Sequence, residues 1–105
     1  MELKGKSAVI TGAGRGIGKR LAIAFAAEGA RVGLLSRTQA LLNVTHLEIA
    51  DAGGESLVVP ADVAVYAQVE KAVEAVRQKF GPIDILINAA GVQGPIGPTA
   101  GIDPR

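Results

Sequence analysis

The sequence contains no cysteine, no tryptophan, one histidine and one tyrosine. Without cysteine there can be no disulfide, no thiolate metal site and no cysteine nucleophile. His46 stands alone in a helical pattern with no ligand partner at helical spacing, so a solvated side chain is expected there rather than a metal ligand. Charge of either sign is also scarce: eleven Lys and Arg against ten Asp and Glu leave a net charge of +1. That balance gives no electrostatic footing for a nucleic-acid or membrane surface. No apolar run approaches the roughly 18 residues of a membrane span, and Met1 to Lys6 lacks the apolar stretch of a secretion signal. A cytoplasmic protein is the expectation.

What is present is apolar and glycine-rich. Hydrophobic residues make up 49% of the chain, charged residues 20%, and there are 14 glycines, a composition of folded rather than disordered proteins. One domain spanning 1–105 is expected, burying roughly two-thirds of the surface of its unfolded chain. Ser7–Thr11 is a short apolar run stopped by Gly12 and reads as a buried strand. Gly16 to about Glu28 places Ile17, Leu21, Ala24 and Phe25 at helical spacing, with Gly29 as the stop. Arg31–Ser36 reads as a second strand. A helix from an N-cap at Thr38 to about Ala52 follows, its period marked by Leu41, Val44 or Thr45, and Leu47 or Glu48. Ser56–Pro60 is a third strand. Ala64–Phe80 is the longest helix, apolar at Val65, Val69, Val73 and Val76, with Asp62 as a candidate cap. Ile83–Asn88 is a fourth strand, its β-branched residues arguing against helix. Beyond it, Gly91, Gly94, Pro95, Gly97, Pro98, Gly101 and Pro104 make a turn-rich tail. Strands alternating with helices imply parallel pairing with right-handed crossovers. The expected fold is α/β, a Rossmann-type doubly wound parallel sheet that is incomplete, with strand order 3-2-1-4.

Thr11-Gly-Ala-Gly-Arg-Gly-Ile-Gly18 lies between the first strand and the first helix. A helix N-terminus there offers unpaired N–H groups and the positive end of the helix dipole to a phosphate. Glycine serves the tight turn, the approach of backbone to diphosphate, and close helix–strand packing. Gly12, Gly16 and Gly18 are the candidates for those three roles, with Gly14, Arg15 and Ile17 completing the loop. The spacing is not G-x-G-x-x-G, since position 17 is Ile17. Nor is it a P-loop, since Ala13 holds the first glycine position and Arg20 follows Lys19. It fits T-G-x-x-x-G-x-G.

About twenty residues on, an NAD binder carries an acid for the ribose 2′-hydroxyl. Here the second strand ends in Ser36-Arg37. An acid would repel a 2′-phosphate, whereas a hydroxyl and a guanidinium can hold one, and Arg15 can reach the same phosphate. NADP(H) is therefore the expected cofactor.

These motifs, with Ala61-Asp-Val63 and Asn88-Ala-Ala-Gly91 in order behind them, resemble the short-chain dehydrogenase/reductase family over nearly the whole chain. The resemblance implies that Asp62 accepts from the adenine amino group and that Val63 lines the adenine pocket. It further implies that Asn88, Ala89, Ala90 and Gly91 border the ribose side of the cofactor. Ala89 departs from the family's commoner asparagine at that position. In texture, including Gly33-Leu-Leu-Ser-Arg37, the chain is most similar to ketoreductases of 3-oxoacyl-acyl-carrier-protein or similar carbonyl substrates. The resemblance implies an oxidoreductase moving a hydride between nicotinamide and a small carbonyl or alcohol, and a homo-oligomer.

The family's proton chemistry uses a tyrosine activated by a lysine four residues later. Here Tyr66 is followed four residues on by Glu70, and Lys71 is five away. A neighbouring carboxylate would raise a phenol's pKa, so Tyr66 is expected on a helix surface and no catalytic residue is assigned. The first two helices should cover one sheet face and the third the other, leaving the fourth strand as a bare apolar edge. Family members are roughly twice as long or more, so a fragment or truncated product, inactive alone, is the expectation. The alternative is a stand-alone, non-catalytic nucleotide-binding module. A reading frame that continues past Arg105 into a Tyr-x-x-x-Lys segment would select the first.

Overall fold

The computed structural model describes residues 3–89. The turn-rich tail expected from Gly91 onward lies outside them. Seven elements follow in order: β1 (Ser7–Thr11), α1 (Gly16–Ala27), β2 (Arg31–Ser36), α2 (Gln39–Asp51), β3 (Glu55–Pro60), α3 (Tyr66–Phe80) and β4 (Ile85–Asn88). All neighbouring strands are parallel, in the order β3-β2-β1-β4. The architecture is thus an incomplete Rossmann α/β fold, as the alternation of strand and helix patterns requires.

The two faces of the sheet are separate cores, because alternate strand residues point in opposite directions. Ile10, Val32 and Leu34 pack with Ala22 and Ala26 of α1 and with Leu42 and Ile49 of α2. Val9 and Leu35 point the other way and pack with Ala72, Val76 and Phe80 of α3. Gly33 shares that second face, and a Cβ there would strike the Val76 side chain. Its lack of a side chain is what lets α3 lie against β2. α3 stops short of β4, so Leu86, on the same face as its partner Val9, remains 64% exposed. Among the described residues β4 has no outer neighbour.

The structure corrects several expectations. The buried stripe of α2 is Leu42, Thr45 and Ile49, while Val44 and Leu47 are exposed. Apolar residues occur all round this helix, so spacing alone could not select the face that meets the sheet. α3 begins at Tyr66 rather than Ala64, because Asp62 first closes a turn: its Oδ1 accepts from the Ala64 N–H at 2.9 Å and its carbonyl from Val65 at 2.9 Å. The buried stripe of α3 is Ala72, Val76 and Phe80, with Val65 exposed. β4 starts at Ile85 rather than Ile83. The Asp84 carboxylate, not a strand carbonyl, takes the Ser7 N–H at 2.9 Å, and regular pairing begins one residue later. Thr38 is the N-cap of α2 but makes no side-chain cap bond. His46 is not simply solvated: it is half-buried and its Nδ1 shares a 2.6 Å hydrogen bond with Ser56 Oγ. No helix among the described residues is long and apolar enough to cross a membrane.

Candidate functional site

Parallel strands finish on the same side of a sheet, and the register places Thr11, Ser36, Pro60 and Asn88 at one edge. These residues and the segments that follow them contain every candidate site residue of the described chain. The strand order reverses at β1, which has β2 on one side and β4 on the other, and such switch points open a crevice at the carboxyl ends of the strands. Thr11 Oγ1 donates to Asn88 Oδ1 at 2.8 Å across that point, tying the two strand ends together.

The glycine segment is held from three directions. Gly12, at φ 67°, turns the chain out of β1. The Ala13 N–H donates to the Leu35 carbonyl at 3.1 Å, anchoring the loop to β2. Gly14 is buried, and a Cβ there would sit 2.8 Å from Leu41 Cβ and 3.5 Å from Ser36 Oγ. The loop backbone therefore lies directly beside the end of β2. At the far end, a Cβ on Gly18 would overlap the Gly12 carbonyl, so the first turn of α1 sits against the end of β1.

Arg15 is the N-cap of α1 in extended conformation, φ −165° and ψ 173°, with no side-chain bond capping the helix and no acidic residue in its first turn. Among the described residues nothing accepts from the N–H groups of Gly16, Ile17 and Gly18. These donors, with the dipole end behind them, form a cradle for an anion. Arg15 and Arg37 are both exposed, and neither forms an ion pair among the described residues. Lys19 is committed elsewhere, to Glu48 of α2 at 2.9 Å. Ser36 Oγ accepts from the Thr38 N–H at 3.2 Å, which bends the chain after β2 and sets where Arg37 leaves it. The Ser36 carbonyl accepts from Ala61 at 2.9 Å, bringing the β3 end alongside.

Asp62 and Val63 follow at this edge, half-buried and exposed respectively. The Asp62 N–H donates to Gln68 Oε1 at 2.8 Å, and its second carboxylate oxygen has no partner among the described residues. Ala89 is buried just past β4. Ala90 and Gly91 lie outside the described residues. The structure thus brings together Gly12 to Gly18 with Ser36 and Arg37, and sets Asp62, Val63, Asn88 and Ala89 at the same edge. Tyr66 is 74% exposed at the start of α3, an outward position consistent with the surface role expected of it. Two residues were not singled out by sequence: Gln68, which steadies the Asp62 turn, and Thr45, whose hydroxyl donates to the Ala13 carbonyl at 3.0 Å. A threonine at a core-facing position of a helix was the available signal for the second.

A family model described as short chain dehydrogenase matches residues 6–103. A ketoacyl reductase, HetN, from Nostoc sp. is 41% identical over 91 residues, covering 87% of this chain and 32% of that protein. The crystal structure of 3-ketoacyl-(acyl-carrier-protein) reductase from Brucella melitensis complexed with NADH superposes with a TM-score of 0.73 at 46% identity, over 80% of this chain and 33% of that one. A metagenomic short-chain oxidoreductase in complex with NADP gives a TM-score of 0.78 at 35% identity, over 82% of this chain and 39% of that one. The chain spans about a third of the length of the relatives it matches, 29%, 32% and 33% for three of them. The matching family model and the matching sheet order lead to one conclusion: the chain belongs to the short-chain dehydrogenase/reductase family.

Proposed function

We propose that this chain is the NADP(H)-binding part of a short-chain dehydrogenase/reductase. The diphosphate rests on the amides of Gly14 to Gly18 and the 2′-phosphate lies against Ser36, Arg37 and Arg15. The observation that supports this most strongly is the closeness of Gly14 to the end of β2, where the Ser36 hydroxyl stands 3.5 Å from the position a Cβ on that glycine would take. The amide cradle is thus near Ser36, the residue after which Arg37 leaves the strand. The donor set fits the cofactor: amides uncapped and guanidinium groups without an ion pair among the described residues for its anions, and a carboxylate oxygen of Asp62, without a partner among those residues, for the adenine amino group. Asn88 and Ala89 border the ribose side. The relatives' structures contain NADH in one case and NADP in another, so the family does not decide the matter, and the preference for NADP(H) is argued from Ser36-Arg37.

When bound, the nicotinamide supplies the hydride exchanged with a carbonyl or alcohol; similarity to ketoacyl reductases favours a 3-oxoacyl-type substrate. This chain's own part is to grip and orient the cofactor. Tyr66, the only tyrosine, has Glu70 rather than lysine four residues on. That favours a second reading, nucleotide capture without turnover by these 105 residues alone. Calorimetry with NADPH and NADH tests the first part. NADPH is expected to bind about tenfold to a hundredfold more tightly, one charge-assisted bond being worth roughly that ratio; equal affinities would refute the 2′-phosphate assignment. Oxidation of NADPH with a carbonyl substrate by the rigorously purified chain would overturn the reading of capture without turnover.

A further inference from the structure

We propose that Thr45 is a positioning residue for the diphosphate loop, acting through Ala13 and never touching the cofactor; this rests on the NADP(H) reading above. Thr45 sits in the middle of α2 and is wholly buried, at 0% exposure. Threonine is a mediocre helix former, and a hydroxyl taken out of water is costly unless it is hydrogen-bonded. Valine, an equally mediocre helix former, would fill the same space without burying a hydroxyl, so the oxygen is explained by its partner. That partner is the Ala13 carbonyl, which accepts from Thr45 Oγ1 at 3.0 Å. The alternative acceptor, the Leu41 carbonyl one turn back in α2, is at 3.4 Å and already belongs to the helix ladder. A hydroxyl has one proton to give, and the shorter contact leads out of the helix.

Ala13 is itself 0% exposed, and among the described residues its carbonyl receives no other hydrogen bond. Its N–H is held by Leu35 at 3.1 Å. Both polar groups of this residue are therefore pinned, one to the sheet and one to α2. The next residue, Gly14, is pressed against Leu41 of the same helix. α2 also grips α1 through Glu48 and Lys19 at 2.9 Å. The amides of Gly14 to Gly18 begin immediately after this anchor, so the direction in which they point is set by the peptide that Thr45 holds. Removing the hydroxyl leaves a buried carbonyl unpaired, and the loop relieves it by turning that peptide.

The test compares wild type with Thr45→Val and Thr45→Ser in the 105-residue chain. Binding is measured by calorimetry with two probes: NADPH, and adenosine 2′-monophosphate, which has the 2′-phosphate and adenine but no diphosphate. Thr45→Val is expected to weaken NADPH by about tenfold while adenosine 2′-monophosphate stays within about twofold of wild type; Thr45→Ser should restore NADPH binding. Where Thr45→Val is too unstable to titrate, Thr45→Cys, which lacks the γ-methyl group and is a much weaker donor, should show a selective loss that Thr45→Ser, also without that methyl, does not. Unchanged NADPH affinity overturns the proposal, as does an equal loss for both probes, which is what a merely structural threonine would give. Wild-type protein that binds neither probe overturns the cofactor reading and this proposal with it, whereas wild-type binding with an unaffected Thr45→Val overturns this proposal alone.

Discussion

Gly18 lies in the first turn of α1 so close to Gly12, at the end of β1, that a methyl group on it would overlap the Gly12 carbonyl. Helix and strand meet backbone to backbone, and the uncapped amides are held at the strand end rather than a side-chain width above it. Gly16 differs: its φ is 62°, yet among the described residues nothing lies within 4 Å of a Cβ there.

Gly18→Ala should therefore cost about 1–3 kcal/mol through overpacking and abolish measurable NADPH binding, because α1 must retreat from the strand end. Gly16→Ala should cost only roughly 1 kcal/mol, the strain of a left-handed alanine. Urea unfolding of both variants checks this. Equal destabilisation would mean that the contact with Gly12 is not the limiting one.

Arg37 is exposed and without an ion pair among the described residues. Arg37→Glu should weaken NADPH by at least about tenfold and leave NADH within about threefold, since a carboxylate repels a 2′-phosphate but can accept from a 2′-hydroxyl. Raising the salt concentration should weaken NADPH more than NADH in wild type. Titrations of both cofactors at two ionic strengths decide it; parallel losses would remove Arg37 from the specificity argument.

The fit of Gly33 against Val76 can be isolated with a double-mutant cycle. Gly33→Ala alone should destabilise by about 1–3 kcal/mol, and Val76→Ala alone should cost about 1–3 kcal/mol for the lost buried methyls. Combined, the two should cost clearly less than their sum, because the shortened side chain vacates the space that the new methyl needs. Additive losses in chemical denaturation would show that β2 and α3 do not meet there.

Glu74 is exposed, yet hydrogen bonds from Arg77 and then Gln78 lower its pKa from 4.5 to about 2. Arg77 approaches it with two nitrogens, at 2.9 and 2.6 Å, and Gln78 with one at 3.0 Å. A depressed carboxylate pKa contributes stability that is present above the unfolded value and is lost as pH falls through the folded one. The contribution is thus complete at neutral pH and disappears between about 4.5 and 2. Its size is small, because solvent screens an exposed pair. A carboxyl NMR titration should place Glu74 well below 4.5, and Arg77→Leu should bring it back toward that value. A Glu74 titration at the ordinary carboxylate value would sink the assignment.

How much of this was legible beforehand differs from element to element. β1 and β2 were read to the residue, because their ends are marked by Gly12, Arg31 and Ser36-Arg37 and their apolar runs are unbroken. The start of β4 was not, because whether Ser7 pairs with a carbonyl or with the Asp84 carboxylate depends on two residues far apart in the chain. The stripe of α2 is legible only at Thr45 for a similar reason: Leu41, Leu42, Val44, Leu47 and Ile49 offer more than one apolar face.

The sequence alone determined the alternation of elements and hence the parallel sheet. It also determined the family and the positions of the glycines and arginines, since these depend on local residue order and on a backbone that only glycine allows. Tertiary structure alone decided that Gly14 adjoins Ser36, that Thr45 reaches Ala13 rather than filling core space, and that His46 meets Ser56. Each of these joins residues from separate elements. Their meeting follows from how the helices settle on the sheet, a balance of packing that no single stretch of chain contains.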